Sequence, residues 1–383
     1  MAESQVVSPT SPSYRICRRC IMDTSVPEIS FDAEGNCNFC TAALARLDEQ
    51  LLAPAERDAK LAELVARVKQ EGQGKEYDCI IGVSGGVDST TVAYKVKELG
   101  LRPLAVHFDN GWNSELAVDN ITKALKELDI ELYTYVVDWE EFKDLQLSFI
   151  KASVVNCEAP TDHGIGALLL RTAAERGTRF ILSGSNLATE TIQAMPYGHF
   201  NQDLRQLKGI HKRFGTVPLE TMPTVSVRMY AYYVFVKRIR PIPFLNLIDY
   251  DKEAWKVKLA EAIGWRDYGG KHYESVWTRF FQGYFLPHKV GYDKRRAHHS
   301  SLICSGQMTR DEALADLEDP PYDEALLKED LEYVLKKFGL SAEEFDAYLA
   351  APAKPPTAYP NHSFLFDRME RYRKMFRKFA TSA

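Results

Sequence analysis

From Tyr77 onward the chain alternates short apolar runs with longer stretches in which apolar residues recur every three or four positions. The runs at 79–83, 104–108, 132–137 and 180–183 have the length of strands. The stretches between and after them predict helices at 88–99, 114–128, near 139–150 and at 164–175. A strand followed by a helix, repeated, implies right-handed crossovers and a doubly wound α/β architecture, a parallel sheet with helices on both faces. Ligands on such sheets sit at the carboxyl ends of the strands.

The flanks follow other patterns. Residues 41–70 are rich in Ala, Leu, Glu and Arg, Leu61, Leu64, Val65 and Val68 recur at helical spacing, and Pro54 separates two helices of a linker or bracing hairpin. Beyond Tyr197 the strand rhythm fades and the chain turns helical and aromatic. Tyr230, Tyr232, Tyr233 and Phe235 lie among aliphatics in 225–236, which predicts a buried or interface helix. Thr309 with Glu312 and Ser341 with Glu344 read as capping boxes. A Pro-rich break at 351–360 precedes a basic helix at 368–378, read as a solvated face. The expected division is an N-terminal module and helical linker (1–75), a nucleotide-binding domain (76–220) and a mostly helical C-terminal region (221–383). No internal repeat is evident.

Length and charge narrow the function. With 383 residues, 45% hydrophobic and 26% charged, the chain can bury a substantial core. A formal net charge of -5 argues against nucleic acid as the main partner, because phosphate backbones demand surplus Lys and Arg. The opening 1–12 has no basic run before an apolar stretch, and no segment approaches the ~20 apolar residues that span a bilayer. The expectation is a cytoplasmic protein without a membrane partner. In that compartment seven cysteines suggest metal binding or catalysis before disulfides.

The strongest chemical signal follows the first strand, where Val83 leads into Ser84-Gly85-Gly86-Val87-Asp88-Ser89 and a helix opens. Gly85 and Gly86 let the backbone turn sharply and approach an anion, and the helix start offers unpaired N–H groups and a positive dipole end. Ser84 and Ser89 add hydroxyl donors. Asp88 would repel phosphate unless a cation intervenes, so its natural role is to hold Mg²⁺ or to organise the loop. The bland alternative is a tight strand-to-helix turn without a ligand. Neither the Gly-Lys-Ser/Thr of a Walker loop nor the third Gly of a dinucleotide fingerprint follows.

Cys17 and Cys20, then Cys37 and Cys40, form two CxxC pairs, the paired-knuckle spacing of a tetrahedral zinc ribbon. Four thiolates leave no open coordination position, so the role is structural. An iron–sulfur cluster uses the same ligands and stays open as an alternative. Cys79 falls within the first strand and reads as core, whereas Cys157 and Cys304 have no context that shows reactivity.

The run 84–89 resembles the signature of the PP-loop ATP pyrophosphatases, whose fold is of the adenine nucleotide α-hydrolase type. That family cleaves ATP between the α and β phosphates and adenylates a carbonyl or carboxyl oxygen. The resemblance implies an adenine contact at the second strand end, matched by His107, Phe108 and Asp109, and a nucleotide contact after the fourth, matched by Gly184, Asn186 and, one residue out of step, Glu190. His107 and Phe108 also read as strand-end packing. ATP and Mg²⁺ are then the expected ligands, Zn²⁺ the expected structural ion, and Asp88 and Ser89 catalytic.

The opening Cys17-Arg-Arg-Cys-Ile-Met-Asp23, the loop and the block 269–314 together resemble the N-acetyl sugar amidotransferases of the WbpG and PseA type, over roughly 17–317. The resemblance implies a reaction of surface polysaccharide (O-antigen) or flagellin-glycan biosynthesis. A sugar acetamido oxygen is adenylated, ammonia attacks, and an acetamidino sugar forms with release of AMP and pyrophosphate. It also implies a nucleotide-linked acetamido sugar as substrate and ammonia from a HisH-like glutaminase through a HisF-like barrel, and it leaves room for a homodimer. Lys271, His272, Arg279, Lys294, Arg295 and His298 are the candidates to surround an anionic sugar, with Lys271 and Arg279 taken as catalytic. Each also reads as ordinary surface or interdomain pairing. The rival reading is a PP-loop tRNA thiolation enzyme, which needs catalytic thiols; a further one is a zinc-ribbon scaffold that binds ATP without turnover.

Overall fold

The computed structural model describes residues 11–194, 199–270 and 273–364. Its centre is a five-stranded sheet in the order β3-β2-β1-β4-β5, all parallel: β1 (Cys79–Gly82), β2 (Pro103–Asp109), β3 (Glu131–Val136), β4 (Phe180–Ser183) and β5 (Arg240–Pro243). The chain runs outward from β1 to β3 and then returns to the other side of β1. The order therefore reverses between β1 and β4, where the divergent crossovers open a crevice at the strand ends.

Burial along the strands explains their apolar composition. Ile80, Leu104, Val106, Phe108 and Ile181 face one core, while Cys79, Ile81, Val83, Ala105, Phe180 and Leu182 face the other. Alternate residues of β1, β2 and β4 go to opposite layers, so these strands have no solvent side. Burial pushes the Cys79 thiol well above its ordinary range, as expected of a core residue.

Before the sheet come α1 (Asn38–Gln50) and α2 (Pro54–Glu71), with Pro54 in the first turn of α2, where a missing N–H costs nothing. The crossovers are α3 (Val87–Glu98), α4 (Glu115–Glu127), α5 (Trp139–Lys151) and α6 (Ala159–Glu175); α7 (Leu187–Glu190) and α8 (Leu204–Phe214) follow β4. Three of the four predicted crossover helices match within a residue or two. The fourth, α6, begins five residues earlier than its predicted start at 164.

The segment predicted as a buried or interface helix is a short α9 (Val227–Ala231) continued by a π-turn (Tyr232–Val236). It is not buried: Tyr233 alone is enclosed, and Phe235 is 77% exposed. This stretch delivers β5, which the apolar pattern had missed. Its sequence Arg-Pro-Ile-Pro is short and twice interrupted by proline, tolerable because the strand pairs on one side only.

The remaining helices are α10 (Lys252–Ile263), α11 (Val276–Phe280), α12 (Leu286–Val290), α13 (Arg295–Ser305), α14 (Arg310–Asp316), α15 (Glu324–Phe338) and α16 (Ala342–Ala350). Both predicted capping boxes form, at the starts of α14 and α16. An aromatic cluster ties this region to the sheet: Trp112, after β2, packs against Trp277 of α11 and Phe338 of α15. Backbone bonds Val276 N to Trp112 O (2.8 Å) and Ser114 N to Glu274 O (2.9 Å) complete the seam. The C-terminal region thereby roofs the crevice. Among the described residues no helix is long and apolar enough to cross a membrane, and the basic stretch 368–378 lies outside them.

Candidate functional site

The loop after β1 is shaped by its own side chains. Val83 N extends the ladder to Val106 O (3.0 Å), and the chain then turns through Gly85 at φ +83°, a left-handed value that disfavours other residues. A Cβ there would also lie 2.8 Å from the Tyr268 hydroxyl oxygen and 2.9 Å from Ala117 O. Trp265 Nε1 (2.8 Å) and the Tyr268 hydroxyl (2.9 Å) both donate to the Gly85 carbonyl and hold it against the wall. Ser84 Oγ accepts from Gly86 N (3.3 Å), and Ser89 Oγ accepts from Ser84 N (3.2 Å) while donating to Gly86 O (3.1 Å). Gly86 caps α3 without a side-chain bond to the first-turn amides, which leaves them to an anion.

Two cavities meet at this loop. The smaller, about 210 Å³, lies between the loop and α10 and is lined by Gly86, Asp88, Lys252 and Lys256 among others. The larger, about 680 Å³, opens over the strand ends and falls in the size range of small-molecule sites. Ser84, Ser89, Gly184, Ser185, Glu190 and Glu274 border both. Lys256 sits between Glu253 and Asp267, 3.0 Å from each; burial works against its charge, but these carboxylates hold it above the ordinary lysine range. Gly184 is fitted to Asp88: a Cβ would fall 3.0 Å from the Asp88 carbonyl carbon.

The other predicted nucleotide contacts divide into liners and supports. Val83, His107 and Phe108 line the larger cavity. His107 Nδ1 lies 2.9 Å from Val83 O and Nε2 lies 2.9 Å from the Asn113 amide nitrogen. A carbonyl only accepts and that amide nitrogen only donates, so the proton is assigned to Nδ1. Phe108 also stacks on Tyr135, so it packs and lines at once. Asp109 faces neither cavity and accepts from Gly111 N (2.9 Å) and Asn113 Nδ2 (3.1 Å). Asn186 is buried as the cap of α7, accepting from Thr189 N (2.8 Å). Both shape the turns beside the cavities instead of lining them.

In the C-terminal block the structure brings Lys294 and His298 to the larger cavity. It does not bring Arg279 there. That guanidinium makes a bidentate pair with Asp330 (2.5 and 2.7 Å), both side chains largely buried, and Asp330 also receives the Tyr322 hydroxyl. Arg295 is likewise paired, with Asp293 at 2.8 Å and Asp316 at 3.6 Å. Lys271 and His272 lie outside the described residues.

Sequence reasoning missed several polar liners of the larger cavity, including Asn156, Glu158, Asp162, His199, Asn201 and Thr278. Glu158 precedes α6, and its Oε2 accepts from the Thr278 hydroxyl at 2.9 Å. Burial pushes its carboxyl up, the charge of Asp162 adds to this, Thr278 and Trp277 pull against it, and the outcome is about 8. The available signal was Pro160, which fits the first turn of a helix and would have moved the start of α6 back to Glu158. His199 Nε2 donates to the Asp203 carboxylate across 2.9 Å, and Asp203 also meets the His362 ring at 3.0 Å. Burial alone would raise Asp203; the bonds from His199 and His362 prevail and hold it down at about 2.

Away from the cavities, Cys17, Cys20, Cys37 and Cys40 are buried with all sulfurs within 4.8 Å of one another. The Cys17–Cys40 and Cys20–Cys37 separations are 3.7 and 3.6 Å. Four thiolates on one zinc at the usual bond length stand about 3.8 Å apart, so the set fits a single tetrahedral ion. A cluster would distribute its cysteines around several irons and spread them further. Backbone N–H groups of Cys20, Cys37 and Cys40 point at cysteine sulfurs, as knuckle turns do. The module is fastened to the C-terminal region by Arg310, which donates to the carbonyls of Cys17 and Cys20 (3.2 Å each), and by an Arg296–Asp23 ion pair at 2.9 Å.

Two stretches of the chain match known families. Residues 274–374 match the family "LPS biosynthesis protein WbpG-like, C-terminal domain", and residues 78–167 match "Queuosine biosynthesis protein QueC". No curated protein matches the chain. Among solved structures, NMN synthetase from Francisella tularensis aligns at 13% identity and TM-score 0.33, covering 76% of this chain and 98% of its own. The NH3-dependent NAD synthetase from Campylobacter jejuni aligns at 16% identity and TM-score 0.29, covering 55% and 84%. A predicted tRNA methyltransferase subunit from Methanocaldococcus jannaschii aligns at 13% and 0.28, covering 48% and 75%.

Proposed function

We propose that this chain, with a QueC-like PP-loop region and a WbpG-like C-terminal domain, is an ATP-dependent amidotransferase that converts a sugar acetamido group to an acetamidino group in lipopolysaccharide or related surface-glycan biosynthesis. One observation carries the reading. The cavity into which the phosphate loop opens is walled on its far side by Glu274, Ser275, Thr278, Gln282, Lys294 and His298, all within the WbpG-like stretch. Nucleotide and sugar would then share one chamber, as a direct transfer of AMP to a sugar oxygen requires.

An amide is a weak electrophile because its nitrogen feeds the carbonyl. Adenylation turns the amide oxygen into a leaving group. The amides at the start of α3, the hydroxyls of Ser84 and Ser89, and Lys252 and Lys256 would hold the triphosphate. Mg²⁺, when bound, would neutralise the developing pyrophosphate charge, with Asp88 the residue best placed to hold it. His107 and Phe108 would meet the adenine, and Lys294 and His298 the sugar's anionic groups. Ammonia would be the second substrate, delivered by a HisH-like glutaminase through a HisF-like barrel. The cysteine module would hold zinc and play a structural part.

Thiol chemistry of the tRNA thiolation kind finds less support. Outside the quartet Cys79 and Cys157 are fully buried, and burial pushes the Cys304 thiol up to about 12. Such thiols are poor nucleophiles. The test is incubation with ATP, ammonium and a panel of nucleotide-linked acetamido sugars. AMP should appear together with a product lighter by the difference between oxygen and NH, and the absence of sugar-dependent AMP across a panel that includes diacetamido uronic acids would count against the reading.

A further inference from the structure

We propose that the stretch from Arg228 to Arg240 is a surface by which the protein docks on an anionic lipid bilayer without spanning it. The inference goes beyond the amidotransferase reading and does not depend on it. Its first support is an apolar tip. Met229, Tyr230, Tyr232, Phe235 and Val236 are all exposed, Phe235 by 77% and Val236 by 66%. Single exposed hydrophobic residues need no explanation, whereas a contiguous group on one short turn marks a contact. Tyr233 is the buried residue of the π-turn, and Ile239 N bonds to its carbonyl at 2.9 Å, so the tip is anchored from beneath.

The second support is charge. No Asp or Glu occurs between Glu220 and Asp249, while Arg228, Lys237, Arg238 and Arg240 do, and the first three are exposed. The cationic surface continues through space. Arg240 N donates to Arg179 O at 2.7 Å, and the guanidiniums of Arg240, Arg179 and Arg67 gather around the Glu71 carboxylate at 4.0, 3.1 and 3.1 Å. Three partly exposed guanidiniums on one carboxylate leave this edge positive, although the chain as a whole carries -5.

The combination selects the partner. Aromatic rings edged by Lys and Arg match the bilayer interface, where rings enter the headgroup layer and cations meet lipid phosphates. A second copy fits poorly, because a twofold contact of this surface with itself would set cation against cation with no carboxylate of the stretch to answer them. Nucleic acid would meet the cations but gives the aliphatic Val236 and Met229 nothing to bury against. The placement leaves the site free. Arg179 stands just before β4 and Arg240 opens β5, so the surface lies at the amino ends of the strands, whereas the larger cavity lies over their carboxyl ends. The expectation of no membrane partner rests on the lack of a spanning segment, and a peripheral contact needs none.

The test is flotation of the full-length protein with vesicles of equal parts phosphatidylglycerol and phosphatidylcholine, and with vesicles of phosphatidylcholine alone. Wild type should float with the anionic vesicles, bind the neutral ones far more weakly, and be released as salt rises from about 0.1 M to about 1 M. Phe235→Ser/Val236→Ser should weaken binding about tenfold or more. Lys237→Gln/Arg238→Gln should weaken it about tenfold to thirtyfold. All four side chains are exposed, so both double variants should melt with wild type. Wild type that leaves anionic vesicles unbound would overturn the proposal, and so would anionic-vesicle binding that either double variant keeps in full. A wild-type dimer that Phe235→Ser/Val236→Ser converts to a monomer would also overturn it, by assigning the surface to a second copy.

Discussion

The Tyr250 hydroxyl donates a short hydrogen bond to Oδ1 of Asp88, joining the approach to α10 with the first turn of α3 beside the phosphate loop. Burial and then the Asp88 charge raise the Tyr250 phenol far above its ordinary range, so it remains a donor at any pH of interest. The bond fixes one carboxylate oxygen of a residue that lines the smaller cavity, and under the proposed function the other would hold Mg²⁺. A hydrogen bond to a charged group contributes about 1.5–3 kcal/mol. Tyr250→Phe should therefore weaken Mg²⁺-dependent use of ATP roughly ten- to hundredfold, read as the Mg²⁺ concentration for half-maximal AMP release. Asp88→Ala should abolish AMP release. An unchanged Mg²⁺ titration in Y250F would show that the bond serves only packing.

Metal removal should be felt beyond the N-terminal module. The cysteine turns rest on α13 through Arg296 and the Ile21 N–H to Ser300 Oγ bond, and α13 packs on α7, whose last residue is Glu190. The His298 ring on α13 lies 3.2 Å from Thr189 O of α7. Without an ion, four thiols at these distances either repel as thiolates or lie buried as unpaired thiols, and the turns lose their anchor. Chelator-treated protein, or a Cys20→Ser/Cys37→Ser double variant, should melt several degrees lower and release AMP more slowly. Zinc should be found in the native protein at one ion per chain by elemental analysis. A stripped protein with unchanged melting would remove the structural role.

Asp203 gives a pH signature. Its folded-state value of about 2 lies below that of an unfolded aspartate near 3.8. A depressed carboxylate contributes stability that is complete above the unfolded value and is lost as pH falls through the folded one. The gap corresponds to about 2 kcal/mol. Wild type should lose this contribution between about pH 4 and pH 2, whereas Asp203→Asn, already without it, should be less stable at neutral pH and converge with wild type in acid. Thermal melts across that range read the difference. The same substitution frees His199 at the cavity wall, so it should also reduce turnover.

Much of the fold was legible because its central strands β1, β2 and β4 are covered on both faces: continuous apolar runs such as 79–83 can lie nowhere else in a doubly wound sheet. The loop at Ser84–Ser89 was legible because glycine, hydroxyl and helix start are all local in sequence, as are the two CxxC turns. What escaped depends on long-range placement. β5 is held by its neighbour β4 and carries two prolines, so no local pattern marks it. Glu158 looks like any surface glutamate until Thr278, from 120 positions away, closes over it. Nothing local marks Lys252 and Lys256, and only the fold of α10 against α3 brings them to the Ser84–Ser89 loop. In the opposite direction, Arg279 has the composition expected of an anion site, but a buried aspartate 51 positions later takes its whole donor edge.

That pairing yields the clearest separation of structure from chemistry. Arg279 and Asp330 are 14% and 6% exposed in their side chains, bidentate, and locked further by Tyr322. Burial works against the Arg279 charge, but Asp330 raises its pKa above the usual value. Removing one member of such a pair leaves the other charged and buried, at a cost of about 3–5 kcal/mol, whereas replacing both with apolar groups of similar volume is often neutral. Arg279→Ala should thus lower stability by about that amount, and Arg279→Met/Asp330→Leu should recover most of it. If Arg279 serves only to fasten α11 to α15, amidine formation should return with stability in the double variant. A stable double variant with no activity would place the guanidinium in the chemistry after all, and would require the ion pair to open when substrate binds.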